Sequence, residues 1–477
     1  MPEMIENDKA PDTETENNEQ KDKKKSIWDS LDDSGRAEVE SLATEYRDFL
    51  TNAKTERAVS DIILQKISQG GFVDLKGKSS VKRGGWLAHH GKLLGLFVPG
   101  HDDPVNGFNL IVAHGDSPRL DLKPKCVYED AGLGLLKSNL YGGLKKFQWL
   151  ARPLAIWGFC AFKDGRHADV RFGEEPGDPV LTITDILPHL DRKVQREKKL
   201  TDAFPAERLN VLANSEPLAG SKEKARVKAA LLKILEGRWG IKEDDLISSE
   251  LEIVPAGPAR EVGFDGSMIG GYAQDDRLNV FCSVKALLAS KKPRRPLLVI
   301  IYDREEIGSY GSTGAESNFI MRLAAAALGA SGKEPSWANV QVALAATRAL
   351  SADVEAAVDP TFKEVHDDLN SGLMGHGPCV VRYTGGAGKY GASEARAEYM
   401  ALIRRIFDEA SVAWQSTLLG KQEEGGGGTV AHLMAYHGVS VVDCGPCLLS
   451  MHSPFEVSSK ADVWMNLKAH KAFLASA

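Results

Sequence analysis

The chain has 477 residues, 43% of them hydrophobic and 26% charged, the composition of an ordinary soluble globular protein. That length exceeds what one core usually supports, so two domains are expected. A formal net charge of −7 gives no basis for nucleic acid or an anionic membrane as a partner, and no run of 18 apolar residues or signal-peptide core occurs, so a cytoplasmic location is expected.

Residues 1–25 are charged and nearly devoid of large apolar side chains, and read as a disordered tail. From 27 to 72 the pattern is helical, with Phe49, Val59, Ile62, Ile63 and Ile67 at roughly helical spacing. Strands are expected at 93–99 and 108–113. Residues 119–255 change character: short apolar runs at 154–157 and 180–183 precede a Lys/Arg/Glu-rich stretch, 191–236, that reads as helical. This region is expected to be a smaller, β-rich inserted domain, leaving 26–118 and 256–477 as the principal one. From 256 onward, helices expected at 280–289, 318–329, 393–409 and 429–437 alternate with strands at 297–302, 340–346 and 439–443. Such alternation predicts an α/β fold with a largely parallel sheet covered by helices. The six cysteines are too sparse for a disulfide framework. Cys444-Gly-Pro-Cys447 matches the thioredoxin redox string, but it follows a strand-like run and opens no evident helix, so it is read as coincidence.

Chemistry gathers where strands end. Glu305 and Glu306 directly follow the apolar run 297–302. Adjacent carboxylates that stay ionised want a strong positive partner, and their diverging side chains allow one to bind metal while the other faces an activated water. His114-Gly-Asp116 ends the strand at 108–113, a spacing that lets a carboxylate fix the imidazole tautomer for metal binding. Asp275-Asp276-Arg277 opens a helix; one aspartate suits an N-cap, and a second with an Arg alongside exceeds what a cap requires. Asp353 follows the strand expected at 340–346, and His452 follows 439–443. Together His114, Asp275, Glu306, Asp353 and His452 give two imidazoles and three carboxylates, all expected past parallel strands on the carboxyl edge where open α/β sheets hold ligands. Five ligands exceed the three protein ligands typical of one catalytic zinc. They suit two metal ions about 3.5–4 Å apart that share a carboxylate.

The strings that carry these residues are His114-Gly-Asp-Ser-Pro118, Tyr141-Gly-Gly-Leu-Lys-Lys-Phe-Gln-Trp149, Ile186-Leu-Pro-His-Leu190, Gly271-Tyr-Ala-Gln-Asp-Asp-Arg277, Asp303-Arg-Glu-Glu-Ile-Gly-Ser309, Tyr383-Thr-Gly-Gly-Ala-Gly-Lys-Tyr390, Gly425-Gly-Gly-Gly-Thr429 and Leu449-Ser-Met-His-Ser-Pro-Phe-Glu456. From about residue 40 to the end, the sequence resembles peptidase family M18 aminopeptidases, of the bacterial aminopeptidase 1 branch related to aspartyl aminopeptidases. The resemblance implies that His114 and Asp353 bind one metal, Glu306 and His452 the other, and Asp275 bridges them. Glu305 would be the general base and Asp116 would orient His114. The ions would most commonly be zinc, with cobalt or manganese as alternatives. It further implies that the insert is a dimerisation domain within a homo-oligomer, a dodecamer built from dimers, and that His189 reaches a neighbouring active site.

Three departures from the family pattern stand out: Arg304 and Arg382 where lysine is common, no acidic residue before Leu-Gly-Lys in 415–424, and the two cysteines around Gly445-Pro446. The function expected is a dinuclear metal-dependent aminopeptidase acting on peptides, with metal-activated water as nucleophile. The competing readings are a metal-dependent deacylase or carboxypeptidase, and an inactive assembly scaffold, against which the complete ligand set with Glu305 argues. The wider family favours acidic N-terminal residues. Arg382 can pair with a substrate carboxylate or form a structural ion pair, and the sequence leaves both open.

Overall fold

The fold is that of a computed structural model, which describes residues 25–386, 389–422 and 425–477. The tail expected at 1–25 lies outside the described residues except for Lys25, as do Glu423 and Glu424.

Among the described residues the principal sheet has nine strands, in the order Val73–Asp74, Gly85–His89, Leu93–Val98, Leu297–Tyr302, Asn109–His114, Arg348–Ser351, Ser440–Gly445, Cys379–Val381 and Gln415–Thr417. The four central strands from Leu297–Tyr302 to Ser440–Gly445 run parallel. Leu93–Val98 runs antiparallel to both strands beside it and Cys379–Val381 antiparallel to Ser440–Gly445, so the sheet is mixed rather than largely parallel.

Side-chain alternation splits each central strand between two cores. Leu297, Val299 and Ile301 face a core with helices Asp33–Asn52, Gln274–Ala289, Ala397–Glu409 and Lys460–Ala475. Leu298, Ile300 and Tyr302 face the opposite core, with Phe319–Gly329, Trp337–Ala345 and Ala431–Tyr436. A strand buried on both faces carries no polar alternation, which is why 297–302 reads as a continuous apolar run. Each such side chain contributes roughly 1.5–3 kcal/mol by leaving water. Gly95 is a close-approach position: a Cβ there would stand 2.7 Å from Leu323 and 2.9 Å from Phe319, so a larger residue would push that helix off the sheet.

Several expectations need correction. Residues 340–346 are not a strand; they fall in and just beyond the Trp337–Ala345 helix, and the strand is the four-residue Arg348–Ser351. The stretch 191–236 is helical only in part: it contains the strand Asn210–Asn214, and its main helix, Arg226–Trp239, begins late. The pattern at 27–72 divides into helices Asp33–Asn52 and Glu56–Gln69. At that break the Lys54 ammonium leaves the helix path to bind Glu174 at 2.6 Å and the carbonyls of Pro255 and Gly257 at 2.7 and 2.8 Å.

Residues 119–255 supply a second, six-stranded sheet in which every pairing is antiparallel. It encloses its own core, including Leu120, Trp149, Ile156, Trp157, Leu231 and Ile253. Among the described residues no helix is long and apolar enough to cross a membrane.

One core residue sets an acid sensitivity. His470, on the C-terminal helix, is fully buried with neither ring nitrogen hydrogen-bonded among the described residues. Burial drives its pKa down to about 3. The unfolded chain therefore takes up a proton below about pH 6.5 that the folded chain refuses. The contribution of His470 is complete above that pH and falls by up to about 1.4 kcal/mol per pH unit on acidification toward 3. Thermal unfolding between pH 7.5 and 5.5 is expected to show a shallower acid loss in His470→Phe than in the parent; equal slopes would refute this.

Candidate metal centre

His114 closes the Asn109–His114 strand, Glu305 and Glu306 open the turn after Leu297–Tyr302, and Asp353 lies two residues past Arg348–Ser351. His452 follows the short strand Cys447–Leu448, with a left-handed backbone at φ 62°. Asp275 departs from expectation. It does not follow a parallel strand of the main sheet; it follows Met268–Gly271, which pairs antiparallel with Glu456–Ser459. The N-cap reading holds only in position. Asp275 and Asp276 both have non-helical backbone, so the regular helix begins after them, and Asp276 at its start accepts the Asn279 side-chain amide at 2.6 Å rather than a backbone amide of the first turn.

These elements bring all five expected ligands and Glu305 to the wall of one cavity of about 720 Å³. His114 Nε2 stands 3.2 Å from Asp275 Oδ1 and 3.7 Å from Asp353 Oδ1. His452 Nε2 stands 3.2 Å from Asp275 Oδ2 and 3.4 Å from Glu306 Oε1. Asp275 thus offers one oxygen to each imidazole, and each imidazole has a further carboxylate on its outer side. His189 is not brought there: it lies on an exposed turn, away from the cavity lining of its own chain.

A surrounding layer fixes the cluster. Asp116, completely buried, faces His114 Nδ1 at 3.4 Å and accepts the amides of Glu305 and Glu306, each at 3.2 Å. The Tyr141 hydroxyl donates to the same carboxylate at 2.8 Å. His452 Nδ1 meets the Gly143 carbonyl at 2.8 Å. Glu456 accepts the amides of His452 at 2.7 Å and Asp275 at 3.1 Å, tying two ligands from distant segments to one side chain. Sequence reasoning assigned no role to Tyr141, Gly143 or Glu456. Each stands inside a quoted string, but nothing local says which distant group it meets.

The donor set fits divalent metal ions. Asp275 Oδ1 and Glu306 Oε1 are buried oxygens without a hydrogen bond among the described residues, and two groups of potential metal ligands, His114 with Asp275 and Glu306 and Asp275 with Asp276 and Asp353, share Asp275. Burial first, then Asp275 and Glu305, push the Glu306 carboxyl well above its usual range. Burial, with Asp353, Asp116 and Asp275 adding and His114 opposing, pushes Glu305 up to about 8. Burial opposes charge on His452, yet Asp275 and Glu306 outweigh it and lift the imidazole to about 10. Crowded carboxylates that retain protons release them to a cation, so metal binding here expels protons and weakens in acid. Further along the wall, burial lifts the Glu355 and Asp443 carboxyls to about 7.

Two sequence features fall outside this centre. Arg382 does not line the cavity; it pairs with Glu394 at 3.1 Å across the Tyr383–Gly386 and Tyr390–Glu394 hairpin. Cys444 and Cys447 lie on strands rather than at a helix start, both buried and free, and burial raises the Cys444 thiol where a redox thiolate needs lowering.

Carboxylates and imidazoles ringed at the carboxyl edge of a mixed α/β sheet are the architecture of a metal-dependent hydrolase. Residues 49–474 match the family model described as aminopeptidase I zinc metalloprotease (M18), and the chain belongs to that family. It is 41% identical over 455 residues to a probable M18 family aminopeptidase 1 of Borreliella afzelii, covering 94% of this chain and 99% of that one. The Thermotoga maritima M18 aminopeptidase crystal structure superposes with a TM-score of 0.90 at 41% identity, over 94% of this chain and 99% of the other. Aminopeptidase I of Clostridium acetobutylicum gives 0.88 at 39%, over 95% and 99%. A dodecameric structure of yeast aminopeptidase 1 shares the fold, with a TM-score of 0.73 at 20% identity, over 91% and 96%.

Proposed function

We propose that the protein is a dinuclear aminopeptidase that removes N-terminal residues from peptides. The observation that carries this reading is Asp275, whose two oxygens each stand 3.2 Å from a different imidazole. His114 and Asp353 would hold one ion and Glu306 and His452 the other, with Asp275 shared; zinc is the family's metal, and cobalt or manganese are alternatives. When bound, the ions supply Lewis acidity, activating water and polarising the scissile carbonyl. Glu305, on the cavity wall, takes a proton from the attacking water and delivers it to the leaving amine. Asp116 acts through others: by accepting both glutamate amides and facing His114, it fixes base and ligands in one frame.

The same reading makes 119–255 a dimerisation domain within a homo-oligomer, a dodecamer built from dimers, with His189 reaching the cavity of a neighbouring copy; the yeast relative of this fold is a dodecamer. Its exposure fits a residue that acts outside its own chain. A cytoplasmic location agrees with six free cysteines.

The test is metal removal by chelator, followed by restoration with Zn²⁺, Co²⁺ or Mn²⁺ and assay on aminoacyl-anilides with free or acetylated amino groups. Activity is expected to vanish and return, and only on free amines. Release of acetate from the acetylated forms would favour a deacylase, and no activity with any metal would favour a scaffold.

A further inference from the structure

A second, smaller cavity of about 120 Å³ shares no lining residue with the metal cluster and lies where the chain returns from the 119–255 segment to the principal domain. Its wall takes Lys54 from the break between the first two helices and Arg152 from just before the strand Leu154–Ala161. Residues 255–260 come from the return itself, and Tyr272 and Phe455 from the segments that lead into Asp275 and out of His452.

The charge on this wall is of one sign. Among the described lining residues are one lysine and two arginines, and no aspartate or glutamate. Lys54 has its counter-charge: Glu174 stands 2.6 Å from its ammonium. Glu174 is itself fully engaged, since it also accepts the Trp157 indole and the Gly257 amide at 3.0 Å each. Arg152 has no such partner. Half-buried, it donates one bond, from Nη1 to the Gln148 carbonyl at 3.3 Å, and its Nε is buried with no acceptor among the described residues. A guanidinium carries five N–H donors, so most of this one's are unmet. Burial lowers its pKa, and no carboxylate opposes that. Arg260, exposed, forms no ion pair or side-chain hydrogen bond with any described residue.

A half-buried cation without a counter-charge is costly, and an oxyanion would offset that cost. Guanidinium groups hold such anions through paired N–H donors in a fixed fork. The cavity is well below the roughly 300–1,000 Å³ of sites for drug-sized ligands, which limits the occupant to a small ion.

We propose that Arg152, with Arg260, forms a binding site for one free tetrahedral oxyanion of the phosphate or sulfate class. The site stands whether or not the aminopeptidase reading does. The test is calorimetric titration of the full-length, Zn²⁺-loaded protein with sulfate, in chloride buffer at constant ionic strength, beside Arg152→Gln. Sulfate is the probe because it is a weaker ligand for divalent metals than phosphate. The parent is expected to bind one sulfate per chain that the variant binds at least about tenfold more weakly, the loss of a charge-assisted pair. Thermal unfolding gives a second readout. In chloride, Arg152→Gln should be no less stable than the parent, since an unmatched charge has gone. Added sulfate should raise the parent's Tm along a saturating curve and the variant's only slightly. Phenyl phosphate is expected to compete with sulfate less well than inorganic phosphate does. No binding to the parent, or equal binding to both proteins, as sulfate on the metals would give, overturns the site. A variant already destabilised in chloride would make Arg152 a structural residue and overturn it too. Stronger competition by phenyl phosphate would overturn the free ion as occupant.

Discussion

Glu305→Gln is expected to retain two metal ions per chain while turnover falls by roughly 10²–10⁴-fold. The amide keeps the shape of the carboxylate, and the backbone bond from residue 305 to Asp116, 3.2 Å long, involves no side-chain atom of the glutamate. What disappears is the capacity to accept a proton. The loss should fall on kcat with little change in KM, because binding the substrate does not require the transfer. Elemental analysis and steady-state kinetics on the same preparation decide it. Loss of the metals, or near-normal rates, would remove Glu305 from the role of base.

Asp275→Ala should cost more than the loss of any single flanking ligand, in metal content and in rate. His114, Asp353, Glu306 and His452 each serve one side of the cluster, whereas the two oxygens of Asp275 face both imidazoles at 3.2 Å. On the dinuclear reading, deleting it would remove a ligand from each ion at once, and it leaves His114 and His452 without the carboxylate between them. Both ions should be lost on dialysis from Asp275→Ala, whereas His452→Ala should retain one. Two ions per chain in the aspartate variant would show that nothing is shared.

The parts of this centre that sequence made legible are those where one strand announces its own end. The apolar run before Glu305 corresponds residue for residue to Leu297–Tyr302, and His114 is the last residue of its strand. The strand before Asp353 was misplaced because 340–346 is short and apolar, a pattern shared by a buried helix and a buried strand. The true strand, Arg348–Ser351, is too brief to show a period. Asp353 was placed correctly all the same, since it follows either element. Asp275 was misassigned because its position is set by an antiparallel pairing with Glu456–Ser459, nearly the length of the domain away in sequence. The surrounding layer is of the same long-range kind, since Glu456 joins His452 to Asp275 through contacts no spacing encodes. Arg382 shows the limit differently: its charge was legible, but the choice between a substrate and Glu394 depended on a hairpin.

Two of the bonds that steady the cluster come from the 119–255 segment: the Tyr141 hydroxyl on Asp116 and the Gly143 carbonyl on His452, each 2.8 Å long. That segment is therefore no detachable module; excising it would unmake the centre in the other domain. Thermodynamic linkage runs both ways through such bonds. Free energy released when ligands order Asp116 and His452 returns as firmer seating of the segment. A molecule that bound the segment's outer face more tightly when the segment is seated would in turn raise metal affinity.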